Sequence, residues 1–294
     1  MRDVRRIGDI LQETPGVYVW GANQGSRAAS ANRANRISIR GVSGGARTLV
    51  MLDNQKMNDP SFGTINWANL FPEDIERIEV IPGAASALYG GNAFAGVIRV
   101  ISKKPVKREL SLTGGYQFNT PEGGYGSAVY RDKFDNGLAI SMGYRFETSG
   151  GFRDIWGFSD PARNQTGAAG TPVSGAIPTR TSRGTSTFQV GDNGKAPWEY
   201  HVGQFKAHYD FSSATRLSGG ARYLFSDVGT QGPTSFLRDS AGNVVTSGIV
   251  NVNGTILNPI TPNLFLNAKS HEDDLRTLPA MNILKPGTRQ PDCA

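Results

Sequence analysis

The chain has 294 residues, 37 of them glycine, with a net charge of +6 and a mean hydropathy of −0.35. No run approaches 18 apolar residues, which excludes a transmembrane helix but not membrane-spanning strands that alternate apolar and polar residues. Basic residues are scattered among acidic ones, which argues against nucleic-acid binding. The single cysteine, Cys293, leaves neither an internal disulfide nor a cysteine zinc site.

The first 105 residues are predicted to form a compact α+β domain of ordinary size. A short amphipathic helix carries Val4, Ile7, Ile10 and Leu11 on one face and stops at Thr14-Pro15-Gly16. Apolar or alternating runs predict strands at 17–20, 36–45, 47–57, 75–81 and 97–102. Polar loops occupy 21–35 and 58–69, and Pro72, with two acids after it, begins a one-turn helix.

The pattern changes after Lys103-Lys104-Pro105, and residues 106–294 form a second predicted region. Segment 137–147 alternates completely, with small or charged residues opposite an apolar face of Leu138, Ile140, Met142, Tyr144 and Phe146. Similar alternation occurs in 110–118, 205–211 and 217–225, and a weaker one occurs in 125–134. One apolar and one polar face suits a strand between lipid and water, although a strand of a soluble sandwich also alternates.

The connections between these strands alternate in length. Residues 135–137 and 212–215 are tight turns, whereas residues 148–197 form a long loop, as is typical of outer-membrane barrels. A strand or hairpin is predicted within 244–257, and residues 278–294 show no strand pattern. Five or six strands cannot close a membrane barrel, so we expect further chain beyond this sequence. The start lacks a signal peptide, so we also expect residues upstream.

Four motifs follow one another in the first region: TPGVYV, RISIRG, RTLVMLDNQKMND and IERIEVIPGAASALYGGNAFAGVIRVISKKP. From Val4 to Pro105 their order and spacing resemble the plug domain of TonB-dependent outer-membrane receptors. The resemblance implies an α+β plug domain at 1–105, followed at 106–294 by antiparallel transmembrane β-barrel strands. We expect an incomplete barrel with a long external loop at about 148–197.

The resemblance also implies a function. Such a receptor lies in the outer membrane of a Gram-negative bacterium and takes up a scarce solute, such as a ferric siderophore or cobalamin, while its plug gates the lumen. The implied partners are TonB, the lipid bilayer and the solute, with no cofactor and no nucleic acid. A TonB-binding segment is expected before the plug, and none is evident upstream of Val4. We therefore expect this chain alone not to support energised transport.

The two polar loops of the plug resemble loops that touch the solute in this family. The predicted contacts are Asn23, Gln24, Arg27, Phe62 and Trp67. An arginine combined with amides and aromatic rings suits an anionic iron chelate, because it supplies charge and hydrogen bonds. The alternative is that these are loop residues without a ligand role.

Three charged residues lie within strands that are otherwise apolar: Arg40, Arg77 and Glu79. By resemblance they are predicted to form polar contacts between plug and barrel, and the alternative is a solvated strand face. The chain departs from the family at Pro82-Gly83-Ala84, because many members carry arginine before this glycine and proline after it.

Five glycines of the plug are predicted to be structural. A residue without Cβ is needed where the backbone turns with positive φ or packs closely against a neighbour. These positions are Gly41, Gly83, Gly90, Gly91 and Gly96.

The sequence contains no recognisable catalytic or metal-binding pattern. Its three histidines, His201, His208 and His271, are widely spaced, and no nucleophile motif or phosphate-binding loop occurs. One alternative function is a non-transporting surface protein that uses a plug relative as a binding or structural module. A second is an envelope hydrolase. The neighbouring reading frame would test the first alternative, and a requirement for detergent during extraction would test the second.

Overall fold

The structure is a computed structural model. It describes residues 7–20, 36–43, 46–60, 63, 65–119, 121–153, 157–158, 164–181, 183–212, 215–265 and 269–283. None of the described helices has the length and apolar character needed to cross a bilayer.

The N-terminal domain combines short helices with two small sheets. Its elements are α1 (Ile7–Gln12), β1 (Val17–Trp20), β2 (Arg36–Ile39), β3 (Val42–Ser43), β4 (Thr48–Leu52), β5 (Gln55–Lys56), the 3₁₀ helices Trp67–Asn69 and Pro72–Asp74, β6 (Ile75–Pro82), α2 (Ser86–Tyr89) and β7 (Gly96–Ser102). One sheet is the antiparallel meander β1-β2-β3. The other has the order β5-β4-β7-β6, in which β4 and β7 are parallel.

Apolar residues from α1 and both sheets form the core of this domain. Ile7 and Leu11 lie on one face of α1 and are almost fully buried, as the amphipathic pattern predicts. They pack with Val19, Val50 and Ile98 and with the apolar residues after β5. Burial of this apolar surface is the main stabilising contribution to the domain.

Most of the predicted structural glycines have the required backbone conformation. Gly41, Gly83, Gly90 and Gly96 have positive φ. At Gly96 a Cβ would also lie only 2.5 Å from the carbonyl oxygen of Ile81, because β6 and β7 pair at this point. Gly91 was wrongly predicted, since its φ is not positive and an added Cβ would meet open space.

The chain continues with strands of very different length. They are β8 (Glu109–Gln117), β9 (Gly123–Lys133), β10 (Leu138–Ser149), β11 (Gly157–Phe158), β12 (Gln165–Thr166), β13 (Thr171–Pro172), β14 (Ile177–Arg180), β15 (Ser186–Asp192), β16 (Trp198–Ser212), β17 (Thr215–Gly229), β18 (Thr234–Ser235), β19 (Gly248–Val252), β20 (Thr255–Ile260) and β21 (Lys269–Ile283). The long strands form one antiparallel sheet with the order β8-β9-β10-β16-β17-β21. The predicted fold class, an α+β domain followed by antiparallel barrel-like strands, is therefore confirmed, and the sheet does not close within the described residues.

The six-stranded sheet has an outer face that is apolar and exposed. Leu112 of β8 is 71% exposed, and Met142 of β10 is 43% exposed. The same face carries Tyr144, Phe205, Tyr223 and other large side chains, as the alternation predicts. The opposite, inner face lies against the N-terminal domain, and its central charged residues are buried.

The connections differ at the two ends of this sheet. The β9–β10 connection, residues 134–137, is tight, and β16 ends at Ser212 only three positions before β17 begins at Thr215. At the other end, residues 150–197 join β10 to β16 and residues 230–268 join β17 to β21. The predicted long loop is not structureless, because it contains β11–β15. Its strands pair with β18–β20 of the next connection.

These two long connections share one small core, and we call the part of them that surrounds it the loop unit (described residues 164–181, 183–192 and 234–265). Val190 comes from the first connection, whereas Leu237, Val250 and Leu257 come from the second, and all four are buried. The predicted hairpin within 244–257 corresponds to β19 and β20.

The absence of a strand after residue 278 was wrongly predicted. β21 extends to Ile283, and Pro279 lies opposite Gly219 of β17. Its sequence shows no clean alternation, so pairing with β17 determines its conformation. The predicted domain boundary at residue 105 lies between the end of β7 at Ser102 and the start of β8 at Glu109. The boundary itself stays a prediction.

Candidate functional site

The most strongly built polar site joins the N-terminal domain to the inner face of the six-stranded sheet. The domain contributes three carboxylates from two turns. Asp53 lies in the β4–β5 turn, where it and Asn54 have positive φ. Glu73 and Asp74 lie in the 3₁₀ helix Pro72–Asp74, which proline starts with a favourable φ.

Both turns are tied to the end of β7. The backbone N–H of Ser102 donates to Asp53 Oδ1 at 2.9 Å, and the Ser102 hydroxyl donates to Oδ2 at 2.7 Å. The backbone N–H of Lys103 donates to the carbonyl oxygen of Asp74 at 2.7 Å. These bonds hold the carboxylates in fixed positions on the surface of the domain.

The sheet supplies the opposing cations from alternating positions of neighbouring strands. Arg131, Ser141 and Lys206 lie in one cross-strand row of β9, β10 and β16. Gln204 and Arg222 lie opposite each other in the next row. Because side chains in a strand alternate between faces, these residues all point towards the N-terminal domain.

Asp74 is the centre of the interface and is itself buried. Its Oδ1 lies 3.2 Å from Arg131 Nε, and its Oδ2 lies 3.0 Å from Lys206 Nζ. Gln204 Nε2 also donates to Oδ2 at 3.0 Å. Lys206 Nζ lies 3.1 Å from Asp53 Oδ2, so one lysine bridges both turns.

Glu73 forms a second group of contacts. The Ser127 hydroxyl donates to Glu73 Oε1 at 2.7 Å, and Arg145 lies 3.6 Å from the same oxygen. Arg145 also lies 3.4 Å from Glu147 Oε2, which accepts a hydrogen bond from the Tyr200 hydroxyl. The arginine therefore stands between one carboxylate of the domain and one of the sheet.

Additional contacts reach the edge strand β21. Asn69 Nδ2 donates to Asp274 Oδ2 at 3.1 Å, and Arg276 Nε donates to the same oxygen at 2.7 Å. Arg276 also donates to the carbonyl oxygens of Lys56 and Met57.

An apolar contact lies beside the polar ones. Phe71 immediately precedes the 3₁₀ helix that carries Glu73 and Asp74, and it is almost fully buried. It packs against the inner face at Val129, Trp198, Tyr200, Val202, Leu224 and Val228.

The charges at the interface affect the protonation of Asp53. Burial raises the pKa of Asp53, but the positive charge of Lys206 and the hydrogen bonds from Ser102 outweigh it. The pKa of Asp53 is therefore below its ordinary value of 3.8. Asp53 stays ionised at neutral pH and holds Lys206 by charge as well as by hydrogen bonding.

The buried ion pairs specify one docking position more than they add stability. Removing charged groups from water is unfavourable, and their mutual attraction offsets that cost only when the geometry is good. If the domain moves away, water can solvate both partners. The ion pairs are thus strong while water is excluded, and hydration of the separated charges replaces them when water enters. Such contacts suit an interface that opens and closes.

The predicted ligand contacts have different positions. Asn23, Gln24, Arg27 and Phe62 lie outside the described residues. Trp67 lies in a 3₁₀ helix, is only 5% exposed and packs in the core of the N-terminal domain. The predicted ligand contact at Trp67 is therefore corrected, because its ring is covered by core side chains.

The structure describes the three residues that were predicted to make polar contacts between domain and barrel. Arg77 Nε donates to Glu79 Oε1 at 2.9 Å, and this hydrogen bond raises the pKa of Arg77. Glu79 also pairs with Arg99 at 2.9 Å, so these described ion pairs stay within the N-terminal domain. Arg40 is exposed and has a φ of 50°. A barrel contact for these three residues stays a prediction.

Sequence reasoning missed the carboxylates that dock the domain. Asp53 fell within the predicted strand segment 47–57, and Glu73 and Asp74 were assigned to a helix start, but no partner was predicted for any of the three. The available signal was on the sheet, where Arg145, Lys206 and Arg222 occur at inner-face positions of alternating strands. Buried cations at such positions need carboxylate partners. The pattern does not say which carboxylates these are, because the partners are distant in sequence. In the described part of the chain, no group of three His, Cys, Asp or Glu side chains is placed to hold a metal ion.

Comparisons with known proteins agree with this architecture. Residues 1–97 match the sequence model of a family described as the TonB-dependent Receptor Plug Domain. The ferric enterobactin receptor PirA of Pseudomonas aeruginosa is 31% identical over 161 residues, which cover 50% of this chain and 20% of that protein. The vitamin B12 transporter BtuB of Vibrio vulnificus is 32% identical over 151 residues, which cover 51% of this chain and 22% of that protein.

A solved structure of a mutant ferric enterobactin receptor, PfeA, from Pseudomonas aeruginosa has a TM-score of 0.49 at 18% identity. The alignment covers 76% of this chain and 30% of that one. In the sequence comparisons, the aligned part of this chain spans about a fifth of the length of the curated relatives named above.

Proposed function

Since residues 1–97 match the plug-domain family, we propose that the chain belongs to a TonB-dependent receptor and serves in the uptake of a scarce solute across the outer membrane of a Gram-negative bacterium. The solute is a ferric siderophore or a cobalamin, as the names of the relatives indicate. The plug gates the lumen, and TonB provides the force that moves it.

The observation that carries this proposal is the buried polar interface between plug and sheet. Three plug carboxylates, Asp53, Glu73 and Asp74, face buried cations of the inner face. The outer face of the same sheet is apolar and exposed, as a surface in contact with lipid requires. A plug held by ion pairs blocks passage at rest, and it can be released because water replaces those contacts.

The interface also explains how a pulling partner can act. Ion pairs lose strength quickly as water enters, whereas a large apolar contact would have to be exposed against the hydrophobic effect. The apolar part of this interface is centred on Phe71. A pull on the plug therefore has mainly hydratable contacts to break.

A cross-linking experiment tests whether plug movement is required. Gln55 of the plug donates to the carbonyl oxygen of Thr277 in β21, and both residues are accessible. In a Cys293→Ser background, Gln55→Cys with Thr277→Cys would be joined by a short bismaleimide in the natural receptor. Uptake of labelled ferric siderophores and cobalamin by cells is then measured with and without an uncoupler of the proton gradient.

We expect the cross-link and the uncoupler each to stop uptake while binding at the cell surface persists. Gln55→Cys alone, treated with the same reagent, is the matched control and retains uptake. Uptake that continues in the cross-linked receptor would contradict a gating plug. Solute binding without any uptake by the unmodified receptor would favour the alternative of a non-transporting binding module.

A further inference from the structure

The inner face of the sheet has an excess of positive charge beneath the plug. We define the cationic wall as Arg131, Arg145, Lys206 and Arg222, all of which are buried. Among the described residues of this inner-face patch, the sheet itself provides two carboxylates, the buried Glu147 and the half-exposed Glu109, which lies 3.3 Å from Arg131. The half-buried pair of Arg276 and Asp274 beside it adds no net charge.

The plug supplies the charge that this wall lacks. Asp53, Glu73 and Asp74 contribute three carboxylates, so the plug supplies most of the negative charge beside the four cations, and Glu147 and Glu109 of the sheet supply the rest. The docked state therefore has enough carboxylates for the four buried cations, as burial of so many positive charges requires.

Arg222 differs from the other members of the wall. Its described hydrogen bond goes to the uncharged Oε1 of Gln204 at 3.0 Å, and Gln204 in turn donates to Asp74. Directly across the strand pair from Arg222 lies Arg276, a like charge. Like charges opposite each other are unfavourable in a sheet, so the juxtaposition of Arg222 and Arg276 carries an energetic cost.

We propose that the cationic wall, once the plug carboxylates have left it, binds the solute during its passage, and that the solute is a chelate with net negative charge. This inference rests on the proposed function. Displacement of the plug leaves four cations and two carboxylates, Glu147 and the half-exposed Glu109, on this part of the lumen surface. In a narrow lumen with walls of low dielectric constant, such an imbalance raises the local concentration of anions.

The side chains of the wall suit oxygen anions. Guanidinium groups bind carboxylate, catecholate or phosphate oxygens through paired hydrogen bonds, and lysine adds a point charge. An anionic solute would thus replace the plug carboxylates as the counter-charge. A neutral solute of similar size gains nothing from this exchange.

The test compares two iron chelates, one anionic and one neutral, in cells that produce the natural receptor. Arg222→Gln removes one positive charge from the wall but leaves the direct plug ion pairs intact. Arg222→Lys keeps the charge, and Lys107→Gln removes an equal charge from an exposed position before β8. Uptake of each labelled chelate is measured at equal receptor abundance, together with the protease resistance of the plug.

We expect Arg222→Gln to reduce uptake of the anionic chelate about tenfold relative to the neutral one, because one charge is lost in a confined path. Arg222→Lys should restore most of the difference, and Lys107→Gln should behave as the wild type. Equal loss for both chelates, with a protease-sensitive plug, would reveal a merely structural role and overturn the inference. Unchanged anion uptake would overturn it as well, while the proposed function would stand. A wild type that takes up neither chelate nor cobalamin refutes the function and this inference together.

Discussion

The N-terminal domain and the six-stranded sheet place polar and apolar side chains in opposite ways. The domain buries Ile7, Val50 and Ile98 and keeps the ion pairs of Arg77 at its surface. The sheet buries Arg131 at 1% exposure and leaves Leu112 and Met142 exposed on its outer face. The difference is the one that the proposed function predicts. A domain in water buries apolar residues, whereas a sheet between lipid and a charged plug exposes apolar residues outside and buries charged ones inside.

The largest effect is expected where the two regions meet. Asp74→Ala would leave Arg131 and Lys206 buried without their central carboxylate, which costs about 3–5 kcal/mol for a broken buried ion pair. Hydrogen exchange of residues 72–82 in urea would report the loosened plug. The control Glu79→Ala removes a half-exposed carboxylate and should cost about 0–1 kcal/mol. Equal effects of the two substitutions would remove the distinction between docking and surface ion pairs.

The outer face gives the second test of the comparison. Met142→Arg should destabilise the protein in lipid vesicles, lowering its free energy of unfolding by about 2–4 kcal/mol, because the charge would face hydrocarbon. Ile177 is similarly exposed but belongs to the loop unit, so Ile177→Arg should change stability by less than about 0.5 kcal/mol. Urea titrations of vesicle-inserted protein would measure both. If Met142→Arg were as harmless as Ile177→Arg, the outer face would be a water-exposed surface.

Substitution of two glycines of the plug by alanine should change stability by a smaller amount and only through local contacts. Gly96→Ala forces a side chain into a positive φ and against the Ile81 carbonyl oxygen, which should destabilise the domain by about 1–3 kcal/mol. Gly91→Ala meets open space and should change stability by less than about 0.5 kcal/mol. Chemical unfolding of the plug would separate the two variants. A tolerated Gly96→Ala would mean that the β6–β7 pairing can shift to accept a Cβ.

The smallest effect is expected from pH. The pKa of Asp53 is lowered in the folded state, so its contribution to docking is complete above the unfolded value of 3.8. That contribution should disappear as the pH falls through the lower folded pKa, because protonation is then coupled to undocking. Hydrogen exchange of the β4–β5 turn between pH 7 and pH 3 would show this loss. Asp53→Asn should flatten the pH dependence, and an unchanged profile in that variant would assign the effect to other carboxylates.

Much of the fold followed from local patterns in the sequence. The alternation in 137–147 predicted both faces of β10, since successive side chains in a strand point to opposite sides. The four plug motifs predicted the family of the N-terminal domain, and the family match covers residues 1–97. The failures have local causes too. β21 lacks alternation and contains Pro279, and Trp67 stands in a polar stretch although it is a core residue.

The docking site could not be derived in the same way. Arg145, Lys206 and Arg222 were visible as charged inner-face residues, but their partners lie far away in sequence. Asp74 and Lys206 are separated by 132 positions. The interlocking of the two long connections was also invisible, because Val190 and Leu257 belong to different loops and meet only after β10, β16 and β17 have aligned.

The sequence alone therefore determined which side of each regular strand is apolar, where the backbone must turn through glycine, and which family the plug resembles. These properties depend on near neighbours in the chain. Only the tertiary structure decided which carboxylate faces which cation, which aromatic ring is buried and how the loops pack. Those contacts depend on strand register and domain position, and they arise from the balance of burial and charge over the whole assembly.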